Sequence, residues 1–97
     1  MTSVVVSQRA ASDLREIGRF IAADDPRRAR SFVAELRARC RDLRHMPLRG
    51  RPAPEIAADA RVLVFRAYLI LYRVRDDRVL IERVLHAARE RPMPPHE

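Results

Sequence analysis

The most conspicuous absence from this 97-residue sequence is lysine, since all twenty of its basic residues are arginines. Against thirteen acidic residues, they give a formal charge of +7. Such an excess can indicate a phosphate-bearing or acidic partner, because the guanidinium fork matches phosphate and carboxylate oxygens. It can also reflect the codon usage of a GC-rich genome. The arginines are spread over the whole chain, which favours codon usage as the reason for the missing lysine, and the net charge holds under either explanation.

Cysteine, glycine and histidine are also scarce, and their scarcity excludes several kinds of site. The single Cys40 allows neither an internal disulfide nor a thiolate metal cluster. Gly18 and Gly50 cannot form a glycine-rich phosphate loop. The three histidines lie without metal-ligand spacing, and no Gly-x-Ser-x-Gly motif is present. We therefore expect no metal and no cofactor, with Cys40 packed as a small core residue.

The sequence also lacks a signal peptide and any apolar run near the roughly 20 residues of a membrane span. These absences predict a cytoplasmic protein. The length predicts a single domain over residues 1–91, followed by a proline-rich tail at 92–97 that we expect to be mobile. A domain of this size buries a small core and would gain stability from a partner.

The first half of the sequence predicts one strand and two helices. The β-branched run at 4–6 reads as a strand, and Ser7 can cap a helix whose apolar residues recur at helical spacing. Asp25 and Pro26 start a second helix, which should run from Pro26 to about His45. Two helices joined by so short a break should pack as a helical hairpin.

The second half predicts three strands after a proline-rich connection. The prolines in "MPLRGRPAPEI" are expected to exclude regular structure there. Val62–Phe65, Tyr68–Val74 and Val79–Leu85 are rich in β-branched and aromatic residues, and Asp76-Asp77 marks a hairpin turn. The middle strand is apolar on both faces and should be central. The fold class is α+β, with an N-terminal strand, a helical hairpin and a three-stranded antiparallel segment that completes a small sheet.

Arginine, histidine and tyrosine side chains gather near the last strands. A metal-free RNA-cleaving site can be assembled from such groups, but tyrosines on strands are usually packing residues and surface arginines are usually solvated or salt-bridged. We favour packing for the tyrosines and an exposed basic docking patch for Arg83, His86 and Arg89. The full set is Arg61, Arg66, Tyr68, Tyr72, Arg73, Arg83, His86 and Arg89.

Three stretches together resemble the RelE/ParE superfamily of bacterial toxins, and more closely its ParE branch, formerly called plasmid stabilisation proteins. They are "SQRAASDLREIGRFIAADDPRRARSFVAEL", "MPLRGRP" and "YLILYRVRDDRVLIERVLHAARE". The pattern "LYRV…V.I.RVLH.AR" is the specific part, and the match covers nearly the whole chain. The resemblance implies a strand, a helical hairpin and an antiparallel sheet.

The resemblance implies two different activities. ParE-like toxins poison DNA gyrase by binding, whereas RelE-like relatives cut messenger RNA on the ribosome with basic residues and a terminal tyrosine or a histidine-tyrosine pair. Here Leu69 stands near the position of a catalytic arginine, and no aromatic residue follows His86. Arg66-Ala67 replaces the usual glycine before the central-strand tyrosine. The departures at Leu69 and after His86 favour a gyrase-binding toxin that is not an enzyme over a ribosome-dependent endoribonuclease. Arg66-Ala67 is instead a departure from the ParE pattern, and it predicts a different turn there.

The resemblance also implies a partner, a ParD-like or RelB-like antitoxin that holds the toxin inactive in a hetero-oligomer. We expect apolar residues exposed at the helix rims to anchor it, namely Ile17, Phe20, Ile21 and Phe32, with arginines around them meeting its carboxylates. An inactive interaction domain of the same fold is a further alternative. A DNA-binding module is the least favoured, because no helix-turn-helix or aromatic-interleaved basic surface is apparent.

Overall fold

The computed structural model describes residues 2–88, in which two helices cover one face of a five-stranded sheet. The predicted α+β class is confirmed, with one short strand in addition to those expected. The proline-rich tail at 92–97 lies outside the described residues. In chain order the elements are β1 (Ser3–Val6), α1 (Gln8–Ala22), α2 (Pro26–Asp42), β2 (Arg51–Pro52), β3 (Ala60–Phe65), β4 (Tyr68–Arg75) and β5 (Arg78–His86).

Both helices begin where a side chain caps the first turn. The Ser7 hydroxyl accepts a hydrogen bond from the Ala10 N–H at 3.0 Å. A carboxylate oxygen of Asp25 accepts one from the Arg28 N–H at 3.1 Å, and Pro26 holds the first helical position. These bonds satisfy backbone donors that have no partner within the helix, which confirms both predicted helix starts.

The second helix ends earlier than its sequence pattern predicts. It stops at Asp42, whereas the expected end was near His45. The N–H groups of residues 43–45 bond to carbonyls three residues earlier, so the last turn tightens and the α-helical pattern stops.

The sheet has the strand order β1-β5-β4-β3-β2. Strand β1 runs parallel to β5, and every other neighbouring pair is antiparallel. The predicted central position of the "YLILYRV" strand is therefore confirmed, because β4 has two strands on each side. Asp76 and Asp77 form the turn of the β4–β5 hairpin, and Asp76 has a left-handed φ of 54°.

The proline-rich connection contains a strand that was not expected. Arg51 and Pro52 pair with Val62 and Arg61 of β3 at the edge of the sheet. The expectation of no regular structure is thus wrong at these two residues. Proline is tolerated at a sheet edge, where its missing N–H can face away from the neighbouring strand.

A buried tyrosine and an arginine hold the loop before β2. The Tyr72 hydroxyl accepts a hydrogen bond from the Gly50 N–H and donates one to the Pro47 carbonyl, both at 2.8 Å. Arg61 donates to the carbonyls of Leu48 and Gly50 at 3.1 and 2.6 Å. Burial raises the pKa of Tyr72. A Cβ atom at Gly50 would lie 2.8 Å from the Tyr72 ring and hydroxyl, so only glycine fits this position without displacement.

The core lies between the helical hairpin and the sheet. Strand side chains alternate between two faces, and the helix-side set packs against the apolar stripes of α1 and α2. Cys40 is buried there, and burial raises its pKa to about 11. The opposite face carries a smaller cluster under the loop between β2 and β3. Its buried members are Ala53, Ala60, Val62 and Leu71.

Candidate functional site

Helix α1 caps the half of β5 that β1 does not reach. Strand β1 has four residues and β5 has nine, so the later residues of β5 lack a strand neighbour on that side within the described chain. Asp13 accepts hydrogen bonds from the Val84 N–H at 2.9 Å and from the Arg83 guanidinium at 2.9 and 3.1 Å. The Ser7 hydroxyl donates to the Glu82 carbonyl at 3.0 Å. The side chains of Asp13 in α1 and of its cap residue Ser7 therefore take over the pairing that a strand would supply.

A β-bulge directs β5 toward this cap. Across from β4, the pairing changes from Leu71–Arg83 to Tyr72–Ile81, which leaves Glu82 as an extra residue. A bulge bends its strand and re-aims the following side chains. Here the following residue is the arginine that meets the Asp13 carboxylate.

His86 and Tyr68 form an aromatic pair at the end of the same strand. Their rings meet edge to face with centroids 5.1 Å apart, and Tyr68 also packs against Phe32 at 5.5 Å. The Nδ1 atom of His86 accepts a hydrogen bond from the Ala88 N–H at 3.2 Å, so a neutral imidazole carries its proton on Nε2. Tyr68 is only 5% exposed and acts as a packing residue.

These residues border a groove, here called the rim groove, between α1 and the end of β5. Its volume is about 510 Å³. It combines carboxylates with aromatic rings. Among residues 2–88, Arg19 is the arginine in its lining, and Arg83, which is already bonded to Asp13, lies beside it. The lining residues are Asp13, Glu16, Ile17, Arg19, Phe20, Tyr68, Val84 and His86. Sequence reasoning missed Asp13 and Glu16, although two acidic residues three apart in so basic a chain were a usable signal.

The structure brings together two of the three residues predicted for target binding. Arg83 and His86 lie near the same end of β5. Asp13 balances the charge of Arg83, whose side chain is only 25% exposed, so the expected exposed basic patch is wrong at this residue. His86 is half-buried against Tyr68. Arg89 lies outside the described residues, and the role of all three in target binding stays a prediction.

The four residues predicted to contact an antitoxin differ in exposure. Phe20 is 62% exposed, and Ile21 is half-buried at the edge of the core. Ile17 and Phe32 are only 8% and 5% exposed, so the expectation that they are exposed is wrong. Ile17 belongs to the core-facing stripe of α1, and the Phe32 ring packs against Tyr68.

A second groove runs along the outer side of the two helices and is here called the hairpin groove. Its volume is about 600 Å³, and small or apolar residues including Gly18, Ala22 and Val33 lie along it. Gly18 of α1 faces Val33 of α2, and a Cβ there would lie 3.4 Å from the Val33 side chain, which is an ordinary contact distance. No acidic residue lines this groove among the described residues. Its arginines are Arg15, Arg19, Arg30 and Arg37.

A network of charges occupies the sheet face away from the helices. Asp59 accepts hydrogen bonds from Arg73 at 2.7 Å and from Arg75 at 3.2 and 3.3 Å. The bond from Arg73 is the main reason that the pKa of Asp59 lies below its usual value, and the same bond raises the pKa of Arg73. Glu82 also lies 3.7 Å from Arg73.

Neither a metal site nor a membrane helix is found among the described residues. No group of three or more histidine, cysteine, aspartate or glutamate side chains within 2–88 could hold a metal ion. No helix in that range is long and apolar enough to cross a membrane.

Comparison with known proteins assigns the chain to a family. The family model described as "ParE toxin of type II toxin-antitoxin system, parDE" matches residues 4–91. Toxin RelE2 of Caulobacter vibrioides is 36% identical over 89 residues, which cover 92% of this chain and 99% of that protein. Putative toxin Y4kP of Sinorhizobium fredii is 37% identical over 84 residues, which cover 87% of this chain and 86% of that protein. The chain therefore belongs to the ParE toxin family of type II toxin-antitoxin systems.

The fold also matches a solved structure. A chain from the chromosomal ParDE TA system of P. aeruginosa superposes with a TM-score of 0.76 at 21% identity. The match covers 89% of this chain and 96% of that chain. It supports the two-helix, mixed-sheet architecture. The relatives carry both ParE and RelE names, so the names alone do not decide between gyrase and the ribosome as target.

Proposed function

We propose that this toxin inhibits growth by binding and poisoning DNA gyrase. The observation that carries the proposal is the state of Arg83, the cation of β5 nearest the rim groove. Its Nε and Nη2 atoms already donate to Asp13. An arginine held in this way is poorly available to grip a scissile phosphate, but the pair gives the rim a fixed shape for docking on a protein.

The alternative, a ribosome-dependent endoribonuclease, fits the rim groove less well. RNA cleavage needs a proton acceptor, a proton donor and a cation within reach of one phosphate. His86 could exchange a proton, but the carboxylates of Asp13 and Glu16 line the same groove and would repel the phosphate. Tyr68 is buried, and the resemblance puts Leu69 near the position at which ribonuclease relatives carry a catalytic arginine.

We further propose that a cognate ParD-like or RelB-like antitoxin neutralises the toxin in a hetero-oligomer by covering the hairpin groove. An apolar floor bordered by four arginines, with no carboxylate in the lining, suits an amphipathic acidic segment that orders on binding. Phe20 and Ile21 remain candidates for additional apolar anchors. Both candidate targets, gyrase and the ribosome, lie in the cytoplasm, which is where the proposal places the toxin.

Two parallel assays test the target. The purified chain is added to a translating extract in which transcript ends are mapped, and to purified gyrase in supercoiling and DNA-cleavage reactions. We expect lost supercoiling and accumulated cleaved DNA, with intact transcripts. His86→Gln should weaken gyrase inhibition only slightly, because docking needs shape and charge and no proton transfer. Leu36→Asp, which places a carboxylate at a fully buried position, supplies an unfolded control. Codon-positioned cuts in ribosome-bound mRNA, with gyrase unaffected, would overturn the choice.

The antitoxin surface is tested with the acidic protein expected from an adjacent reading frame. The double variant Arg30→Glu/Arg37→Glu reverses two charges at the hairpin groove, and should weaken this complex by more than about tenfold, chiefly by slowing association. Arg9→Glu is the matched control, because Arg9 is exposed but does not line this groove. The groove variant reverses two charges and the control reverses one. If the groove variant lost only twice as much binding free energy as the control, net charge alone would explain the effect.

A further inference from the structure

The face of the sheet that points away from the helices carries arginines in an unfavourable arrangement. Arg75 and Arg78 are direct partners in the β4–β5 register. Directly opposed residues on neighbouring strands have Cβ atoms about 5 Å apart, and like charges at such positions destabilise a sheet. Two guanidinium groups thus face solvent side by side at the end of the hairpin.

Carboxylates from the chain balance this cluster only in part. Asp59 bonds to Arg73 and Arg75, and Glu82 lies near Arg73. Arg78 is exposed and makes no ion pair within 4.0 Å to any described residue. The turn residues Asp76 and Asp77 are close to Arg75 and Arg78 in sequence, yet within residues 2–88 they form no such pair either. A positive charge therefore remains beside Arg75.

The arginines border a cavity of about 170 Å³ on this face. Val5 of β1 and Leu80 of β5 are register partners and form its apolar side, while Arg73, Arg75 and Arg78 form its basic side. Phosphodiester oxygens could bond to Arg78 and to the Arg75 nitrogen that Asp59 does not use. The bound anion would also relieve the repulsion between the two guanidinium groups.

We propose that this cluster of Arg73, Arg75 and Arg78 binds a phosphate of the DNA backbone when the toxin docks on the gyrase–DNA complex. The phosphate is held by Arg78 and by the Arg75 nitrogen that Asp59 leaves unused, whereas Arg73, already bonded to Asp59, contributes only its charge. The inference rests on the proposed function, because gyrase presents DNA beside the docked toxin. Backbone contacts position a protein without reading sequence, so they need no helix-turn-helix. An open sheet face also admits a convex phosphate backbone.

Fluorescence anisotropy with a labelled random-sequence duplex, without gyrase, tests the cluster separately from the target assignment. Arg78→Ala should weaken duplex binding by roughly three- to tenfold and reduce the slope of log affinity against log salt by about 1. The matched control is Arg27→Ala, which removes the same charge from an exposed position on α2. Arg78→Lys should recover part of the affinity, since lysine binds phosphate as a point charge.

The stability of the variants separates binding from folding. Arg78→Ala removes a like-charge contact, so its urea midpoint should equal or slightly exceed that of the wild type. Equal affinity losses in Arg78→Ala and Arg27→Ala would overturn the phosphate site. The phosphate site would also be overturned if Arg78→Ala lost affinity for a glutamate-rich peptide but not for the duplex, because the cluster would then bind protein. If Arg78→Ala alone lost duplex affinity, but the wild-type chain failed to inhibit gyrase, the phosphate site would stand and the proposed target would be refuted.

Discussion

The Tyr72 hydroxyl gives the sharpest stability prediction, because it is fully buried and makes two hydrogen bonds to the loop before β2. Tyr72→Phe keeps the ring and removes both bonds. The Pro47 carbonyl has solvent nearby, whereas the Gly50 N–H is buried and would lose the hydroxyl that it bonds to. A neutral hydrogen bond contributes about 1 kcal/mol, and an unsatisfied buried donor costs about 1 to 3 kcal/mol. We expect a loss of about 2 to 4 kcal/mol.

Urea unfolding at neutral pH, followed by circular dichroism, measures this loss. The control is Tyr68→Phe, which removes a hydroxyl from the other core tyrosine and should change stability less, because no bond to the loop is lost. A loss below about 0.5 kcal/mol for Tyr72→Phe would refute the reasoning, since the loop would then be held by Arg61 alone or by water.

Alkaline titration gives an independent check on the same hydroxyl. Burial raises the pKa of Tyr72 above its ordinary value of 10.0 in the folded protein. The unfolded chain therefore loses this proton first, and the stability that the neutral hydroxyl contributes is complete below about pH 10 and falls as pH rises toward the folded pKa. Wild-type stability should decline in that range by a component that Tyr72→Phe lacks. Parallel declines in both proteins would contradict the assigned shift.

Three further substitutions test other contacts. Asp13→Ala should lower the free energy of unfolding by about 2 to 3 kcal/mol, because Arg83 and the Val84 N–H lose their acceptor. A loss no larger than that for an exposed carboxylate would refute the proposed capping of β5 by Asp13. Asp59→Asn should lower stability at neutral pH. Because the pKa of Asp59 is depressed in the folded protein, the difference from the wild type should vanish below that pKa. A difference that does not change with pH in urea titrations would contradict the pairing. Cys40→Ser should keep growth inhibition while losing about 1 to 3 kcal/mol, and a folded, non-toxic variant would indicate a reactive thiol.

Local signals in the sequence were sufficient to predict both helices and four of the five strands in their correct order. Ser7 and Asp25 supply caps that act within three residues, and the apolar spacing of α1 and α2 depends only on neighbours along one helix. Strand β2 could not be predicted this way. It is two residues long, includes Pro52, and exists because β3 offers it partners nine and eleven residues later in the chain. Pairing of this kind is a property of the folded sheet and leaves no periodic pattern in the sequence.

The candidate site was predicted less completely, and Arg83 shows why. Its position at the end of an apolar strand correctly indicated an unusual polar residue. The sequence could not show that Asp13, 70 residues earlier, would bond to it, because that contact needs both the bulge at Glu82 and the short reach of β1. A prediction based on the charge of one residue therefore missed that Arg83 is paired and only 25% exposed, while its role in target binding stays a prediction.

This internal pairing bears on how one fold can serve two kinds of toxin. In the RelE/ParE superfamily that this chain resembles, gyrase poisons and ribosome-dependent nucleases share the helical hairpin and the sheet, so architecture cannot separate them. The balance of charge at each surface can separate the two kinds of toxin. In this chain carboxylates occupy the rim groove and bond its nearest strand arginine, whereas the arginines of the hairpin groove have no carboxylate in the lining. A nuclease with this fold would need the reverse at the rim, a groove without carboxylates and a strand arginine that is available to hold the phosphate. Asp13→Asn, which weakens the hold on Arg83, is for that reason the substitution most able to expose any latent RNA cleavage, and continued absence of cleavage in that variant would favour binding as the sole activity.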